Sequence, residues 1–206
     1  MKVGSIQVGL LSGLLLLILL NGSCISIDGI HLYRSSEKTL EIQATAMEPG
    51  TQLKVHTPSG SIRVEAGQNQ QCSGVARVRV QAPSLEQAEE VAEQVRIDLI
   101  HTAGQLEIKP DYPKLQHVSV SISYEITVPV QTSVFANTAS GSVHLAGLRG
   151  DLTAHTASGS IYVGDVAQGQ ADLITASGSI RVDNAVLTAC RMETASGSIR
   201  APVCVI

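Results

Sequence analysis

Apolar and polar residues alternate with period two along most of this chain, and from Val134 onward the alternation returns in the same phase every 18 or 19 residues. Each return is marked by a hexapeptide, Thr-Ala-Ser-Gly-Ser followed by Ile or Val, beginning at Thr138, Thr156, Thr175 and Thr194. A further copy with Pro in place of Ala, Thr57 to Ile62, stands far upstream. Aligned on the Thr, the residues four and two places before it are apolar in every copy: Leu53 and Val55, Val134 and Ala136, Leu152 and Ala154, Ala171 and Leu173, Cys190 and Met192. The residues between them are mostly polar, which is the pattern of a half-buried strand. After the Gly the phase flips, so that Ile62, Val143, Ile161, Ile180 and Ile199 point inward. Ser-Gly-Ser is then a corner, where Gly60, Gly141, Gly159, Gly178 and Gly197 accept the positive φ of a sharp turn and the serines bond to local backbone or to their counterparts on adjacent coils. A fixed period near twenty residues predicts a solenoid in which each repeat is one coil resting on the last.

The rest of the chain does not repeat. Thr39 to Ala44 reads as a strand, Pro49-Gly50 as a turn, Gly67 to Gly74 as a polar loop, and Val75 to Val80 as another strand. Pro83 to Leu99 reads as a helix. Ser84 caps it with Gln87 three residues on, and Leu85, Ala88, Val91, Ala92, Val95 and Leu99 form one apolar stripe. Gln105 to Lys109 and Val118 to Val128 supply further strands, joined through Asp111-Tyr112-Pro113. The predicted fold is mainly β: a short single-chain β-solenoid with coils of 18–19 residues and an inserted α+β excursion containing one helix. The divisions are 1–23, an export signal; 24–50, a linker and first strand; 51–132, the first coil plus the excursion; and 133–206, the solenoid repeats. The excursion suits a cap at one end. The C-terminal end has no evident cap, so either Pro202 blunts its edge or the protein self-associates there.

Several segments together resemble a bacterial family of putative adhesins known as a domain of unknown function. They are the helix opening Ser84-Leu85-Glu86-Gln87-Ala88-Glu89-Glu90, the strand ending Tyr124-Glu125-Ile126-Thr127-Val128-Pro129, and the Thr-x-Ser-Gly-Ser-Ile repeats. The resemblance runs from about Leu40 to the C-terminus and extends, less closely, to the head domains of putative auto-transporter adhesins. It implies a β-solenoid at the cell envelope with no established catalysis. Many members of that family carry Asp where this chain has the second Ser of each corner, so an acidic ladder is missing here.

Composition narrows the function. The net charge of −4 gives no general pull toward nucleic acid. With no Trp and a single Phe, the aromatic platforms common in sugar sites are scarce. Lys2, an apolar run from Leu10 to Leu20, and small residues before Cys24 form an export signal that resembles a lipobox, with Cys24 as the lipidation site and plain secretion as the alternative. That leaves Cys72, Cys190 and Cys204, among which at most one disulfide can form. The sharpest candidate for recognition is the outward column after the corner, Arg63, His144, Tyr162, Arg181 and Arg200, a basic strip for an envelope polyanion or else a solvated face that discourages edge aggregation. His144 and His155 could approach each other or His56, but no acidic column adds ligands, so no metal is expected. Asp151, Asp165, Asp172 and Asp183 sit at different offsets from their Thr and give no carboxylate pair for glycoside hydrolysis. No catalytic residue and no cofactor is therefore predicted. The expectation is an exported, membrane-anchored or secreted envelope module that binds a polymer or protein partner. The alternatives are a sensor of envelope stress acting through a protein partner and a polysaccharide-active enzyme.

Overall fold

The computed structural model describes residues 33–201 and 204–205. The segment expected to be an export signal, Cys24 and Pro202 lie outside them, as does the side chain of Cys204. Each repeat forms two strands joined at its corner. The first coil is β2 (Gln52–Ser59) and β3 (Ile62–Gly67), which follow β1 (Arg34–Ala46). The excursion is β4 (Gln71–Ala82), α1 (Leu85–Gln94), β5 (Arg96–Thr102), β6 (Gln105–Asp111) and β7 (Ser119–Pro129). Three coils follow: β8 (Ser133–Ser140) with β9 (Val143–Ala146), β10 (Leu152–Ser158) with β11 (Ile161–Gly164), and β12 (Gln170–Ser177) with β13 (Ile180–Asp183). After the short β14 (Ala185–Val186), the last coil is β15 (Ala189–Ser196), β16 (Ile199–Arg200) and β17 (Cys204–Val205).

The two strands of each coil go to two facing open sheets. One has the order β1-β4-β7-β3-β9-β11-β13-β16, the other β15-β12-β10-β8-β2-β6-β5. Between coils every pairing is parallel and in register, Thr on Thr and Ser on Ser. The apolar columns meet between the sheets, where Leu53, Val55, Ile62, Val143, Leu145, Val163, Leu173 and Ile180 are fully buried. A third, short side is closed by Leu148, Val166 and Leu187, with β14 pairing β17.

The corners hold this register. The motif Thr residues point inward, all buried except the half-buried Thr194, and from the second corner on their hydroxyls donate to the corner Gly carbonyl of the preceding coil: Thr138 to Gly60 at 3.1 Å, Thr156 to Gly141 at 3.0 Å, Thr175 to Gly159 at 2.9 Å and Thr194 to Gly178 at 3.0 Å. The corner Gly N–H groups donate in the other direction, Gly60 to Ser140 O at 2.8 Å and Gly159 to Ser177 O at 3.0 Å among them. The second serines form a ladder too, with Ser179 N–H donating to Ser160 Oγ at 3.3 Å and Ser179 Oγ lying 3.0 Å from Ser198 Oγ. The corner backbones touch. A Cβ on Gly159 would lie 2.1 Å from the Gly141 carbonyl oxygen, and one on Gly178 would lie 2.1 Å from that of Gly159.

The excursion departs from the sequence reading in three ways. The polar loop shrinks, because β4 already begins at Gln71 and runs antiparallel to β1. The helix stops at Gln94 and Val95 is extended, so Leu99 lies on β5 rather than on a helical stripe. Val95, Ile97 and Leu99 alternate with exposed Arg96, Asp98 and Ile100, and the strand period wins there. Most consequentially, β6 and β7 are not separate strands beside the solenoid. They pair in parallel with β2 and β3 and act as one more coil beneath the first, which is thereby sandwiched between β6/β7 and β8/β9.

Beyond this added coil, β5, β4 and β1 extend the two sheets by antiparallel pairing. The helix, capped by Ser84 Oγ accepting from Gln87 N–H at 3.2 Å, buries Ala88, Val91 and Ala92 against β1 and β4 and covers this end. At the other end β15 and β16 have no further strand beside them among the described residues, and Ile199, inward by phase, is 45% exposed.

A Gly159→Ala variant is expected to lose about 3 kcal/mol, since backbone rather than a side chain must move. Gly104→Ala, at φ +74 with nothing within 4 Å of the added Cβ, is expected to lose only about 1 kcal/mol. Urea unfolding of the two variants checks this, and equal losses would show that the corners are not in backbone contact.

Candidate functional site

A stacked solenoid places outward residues of successive coils about 4.8 Å apart, so its candidate sites are columns rather than pockets. The column after the corner forms as the repeat phase predicts. Arg63 pairs with His144, His144 with Tyr162, Tyr162 with Arg181 and Arg181 with Arg200, and on the other side Arg63 stands beside Glu125 of β7. The His144 and Tyr162 rings stack at 4.6 Å. The positive charge is largely answered within each coil by the residue two places on. Arg63 Nη1 donates to Glu65 Oε1 at 3.0 Å, and Arg181 Nε donates to Asp183 Oδ2. Arg200 has no ion pair among the described residues. Farther along the same face Arg77 pairs with Glu125 and Arg79 with Glu37.

The opposite sheet carries two neighbouring outward columns, His56-Asn137-His155 and Lys54-Phe135-Thr153, that the repeat phase marks as mostly polar. Across them the Phe135 ring packs diagonally on both imidazoles, tilted on His56 with centroids 5.6 Å apart and edge to face on His155 at 6.0 Å. Lys54 and His56 both approach Glu107 of β6, at 3.6 and 3.9 Å. His155 and Arg191 reach Asp172 at 3.6 and 3.8 Å. His144 and His155 do not approach each other, because their strands lie in different sheets and both side chains face outward, while Phe135 separates His155 from His56. Among the described residues no three His, Cys, Asp or Glu side chains gather as a metal-holding group.

The carboxylates are committed to structure. Asp151 Oδ1 accepts from Gln170 N–H at 2.9 Å, and Asp165 Oδ1 accepts from Asn184 Nδ2 at 3.1 Å. The corner serines serve the inter-coil ladder. Cys72 is a fully buried thiol that burial pushes up to about 12, which keeps it protonated and unreactive. No helix of the described residues is long and apolar enough to cross a membrane.

Residues 105–202 match the family model described as Toastrack DUF4097. This stretch is similar to the Toastrack domain. It begins at β6 and runs into the last coil, yet the first coil, which precedes it in sequence, is seated between its β6/β7 coil and its β8/β9 coil. The Toastrack stretch is therefore completed in space by residues 52–67. Among solved structures, a putative cell adhesion protein from Clostridium sporogenes superposes with a TM-score of 0.54 at 10% identity, over 81% of this chain and 98% of that one. A putative adhesin from Parabacteroides distasonis gives 0.39 at 16% identity, over 82% and 73%. The first establishes likeness of fold. No curated protein matches the chain in sequence.

The imidazoles of the two columns set a pH response. Burial is the main cause holding His56 below its ordinary value of 6.5, with Lys54 adding to the effect and Glu107 opposing it. Burial likewise holds His144 below that value, helped by Arg63 and opposed by Glu65. A depressed imidazole pKa means that the unfolded chain protonates first, so the stability of the fold is full above roughly pH 7 and falls as pH drops through the folded-state values. A His56→Gln, His144→Gln double variant is expected to lose less stability than the parent between pH 7.5 and 5 in urea titrations. Parallel curves would contradict this.

Proposed function

We propose that this chain is a non-enzymatic interaction module of the bacterial cell envelope, exported, held at a membrane through lipid on Cys24, and presenting its solenoid face to a polymer or protein partner. The observation that carries this reading is the rigidity of the face. From the first corner on, each coil is tied to the next through inward Thr hydroxyls and touching corner backbones, so the outward columns keep their spacing without a partner. A surface organised in advance loses little conformational entropy on binding. The name of the Clostridium sporogenes protein with the same fold points in the same direction. A catalytic role finds less support, because the repeated serines and the aspartates of the coils are engaged in holding the stack.

In this reading the column Arg63, His144, Tyr162, Arg181 and Arg200 is one contact face, with Arg200 its freest cation. The open edge of β15 and β16 is the place for self-association.

The reading is tested by expressing the full chain in a bacterial host beside a Cys24→Ala variant and measuring intact mass and membrane partition. A diacyl or triacyl mass on a chain beginning at Cys24, with the membrane fraction lost in the variant, is expected. An unmodified soluble product from the parent would remove the anchor.

A further inference from the structure

The corner column ends abruptly at one place, and a cleft forms there. From the last coil down, each corner rests on another corner until Gly60, whose neighbour is the extended backbone of β7 at Ile122 and Ser123. The added β6/β7 coil has no Thr-x-Ser-Gly-Ser turn. Its chain leaves the stack through Pro110 to Lys114 instead. The mismatch opens a cleft of about 540 Å³ between the first corner, at Thr57 and Pro58, and this departing loop. That volume is within the roughly 300–1,000 Å³ typical of small-ligand sites.

The walls have a distinct chemistry. Tyr112 is half-buried and packs on the core, and the rings of Pro58 and Pro110 line the cleft with it, giving a stiff surface with little entropy to lose on binding. Lys109 and Lys114 face the cleft, and neither makes an ion pair among the described residues, whereas Lys54, Arg63, Arg77, Arg79, Arg181 and Arg191 all do. Carboxylates lie nearby. Asp111 lines the cleft too but stands across the β5/β6 pair from Arg96, and Asp98 stands across from Lys109. With Lys114 added the set is net positive, in a chain whose overall charge is −4. The Asn137 amide and the His56 imidazole complete the lining. Burial raises the Tyr112 phenol, so it remains a hydrogen-bond donor.

We propose that this cleft binds an acidic saccharide, a pyranose unit bearing a carboxylate, from an envelope polymer. The C–H face of the ring packs on Tyr112 and the two prolines, the acid group lies between the Lys109 and Lys114 ammoniums, and Asn137 and His56 take ring hydroxyls. The inference rests on the envelope-module reading and adds its ligand class and site.

Isothermal titration and NMR shift mapping of the full chain with trigalacturonate test it, with maltotriose as the neutral ring and linear polyphosphate as the anion without a ring. Trigalacturonate is expected to shift His56, Tyr112 and Asn137. A Lys109→Ala, Lys114→Ala variant, which alters only exposed side chains, is expected to weaken it about tenfold or more. Maltotriose is expected to bind at least about tenfold more weakly than trigalacturonate.

Three results would overturn the cleft. One is shifts confined to the Arg181 and Arg200 column, which would leave the module reading standing with a different face. Another is polyphosphate binding in the cleft as tightly as trigalacturonate, which would mean simple anion attraction. The third is no binding by any probe. Cleavage of the trimer would instead sink the non-enzymatic reading while keeping the site.

Discussion

The structure depends on a contact between backbones. At each corner the Gly lies so close to the backbone below that a Cβ there would overlap a carbonyl oxygen at 2.0 to 2.2 Å, and the same carbonyl, in four of the five corners that of another corner Gly, receives the inward Thr hydroxyl of the coil above. Only Gly permits the approach. A buried carbonyl without the Thr would lose its partner in a medium where that costs about 1–3 kcal/mol. Together these conditions explain why the hexapeptide hardly varies while the outward residues vary freely. Once corners stack in register, the strands on both sides must stack in register too, and the apolar columns follow.

The contact also determines where the surface has features. While corners rest on corners the outer faces are regular ridges, and their charges are settled within a coil, as in Arg63 with Glu65 and Arg181 with Asp183. Irregularity begins where a corner meets something else. Beneath Gly60 it meets strand β7, and the loop carrying Tyr112 and Lys114 swings out to form a concave site. Past that, antiparallel strands and α1 replace coils and close the end. In the proposed reading, this break in the repeat supplies the cleft and the repeat supplies the base on which it stands.

Much of this was legible in the sequence because coil periodicity is local. The inward phase of Val134, Leu152 and Ala171 and the corner role of the glycines can be counted along the chain. The partner of the first coil cannot. Nothing in Leu53 to Val64 shows that β6 and β7, reached only after a helix, return beneath it while β8 arrives above. The pairing is non-local, and hydrophobic phase carries no information about which strand lies beside which. Val95 and Leu99 satisfy a helical spacing and a strand spacing alike, so the sequence alone places Leu99 on the helical stripe although it lies on β5. The basic column was visible, but the i, i+2 carboxylates that temper it gain meaning only once both side chains are known to leave the same face of one short strand. The cleft left a faint mark in Pro58, which departs from the Ala of every other corner, and in Tyr112 beside Pro113. Without the coil beneath, those residues read as a turn and a loop.

Amide hydrogen exchange on the intact chain tests the corner contact most directly. If touching corners and Thr bonds hold the stack, the N–H groups of Gly60, Gly141, Gly159 and Gly178, each donating to a Ser carbonyl of the next coil at 2.8–3.0 Å, exchange only through global unfolding, as slowly as those of buried Val55 and Leu173. Exchange at the rate of the open turn around Gly104 would contradict the account. It would mean that the strands hold the solenoid and the corners merely connect them.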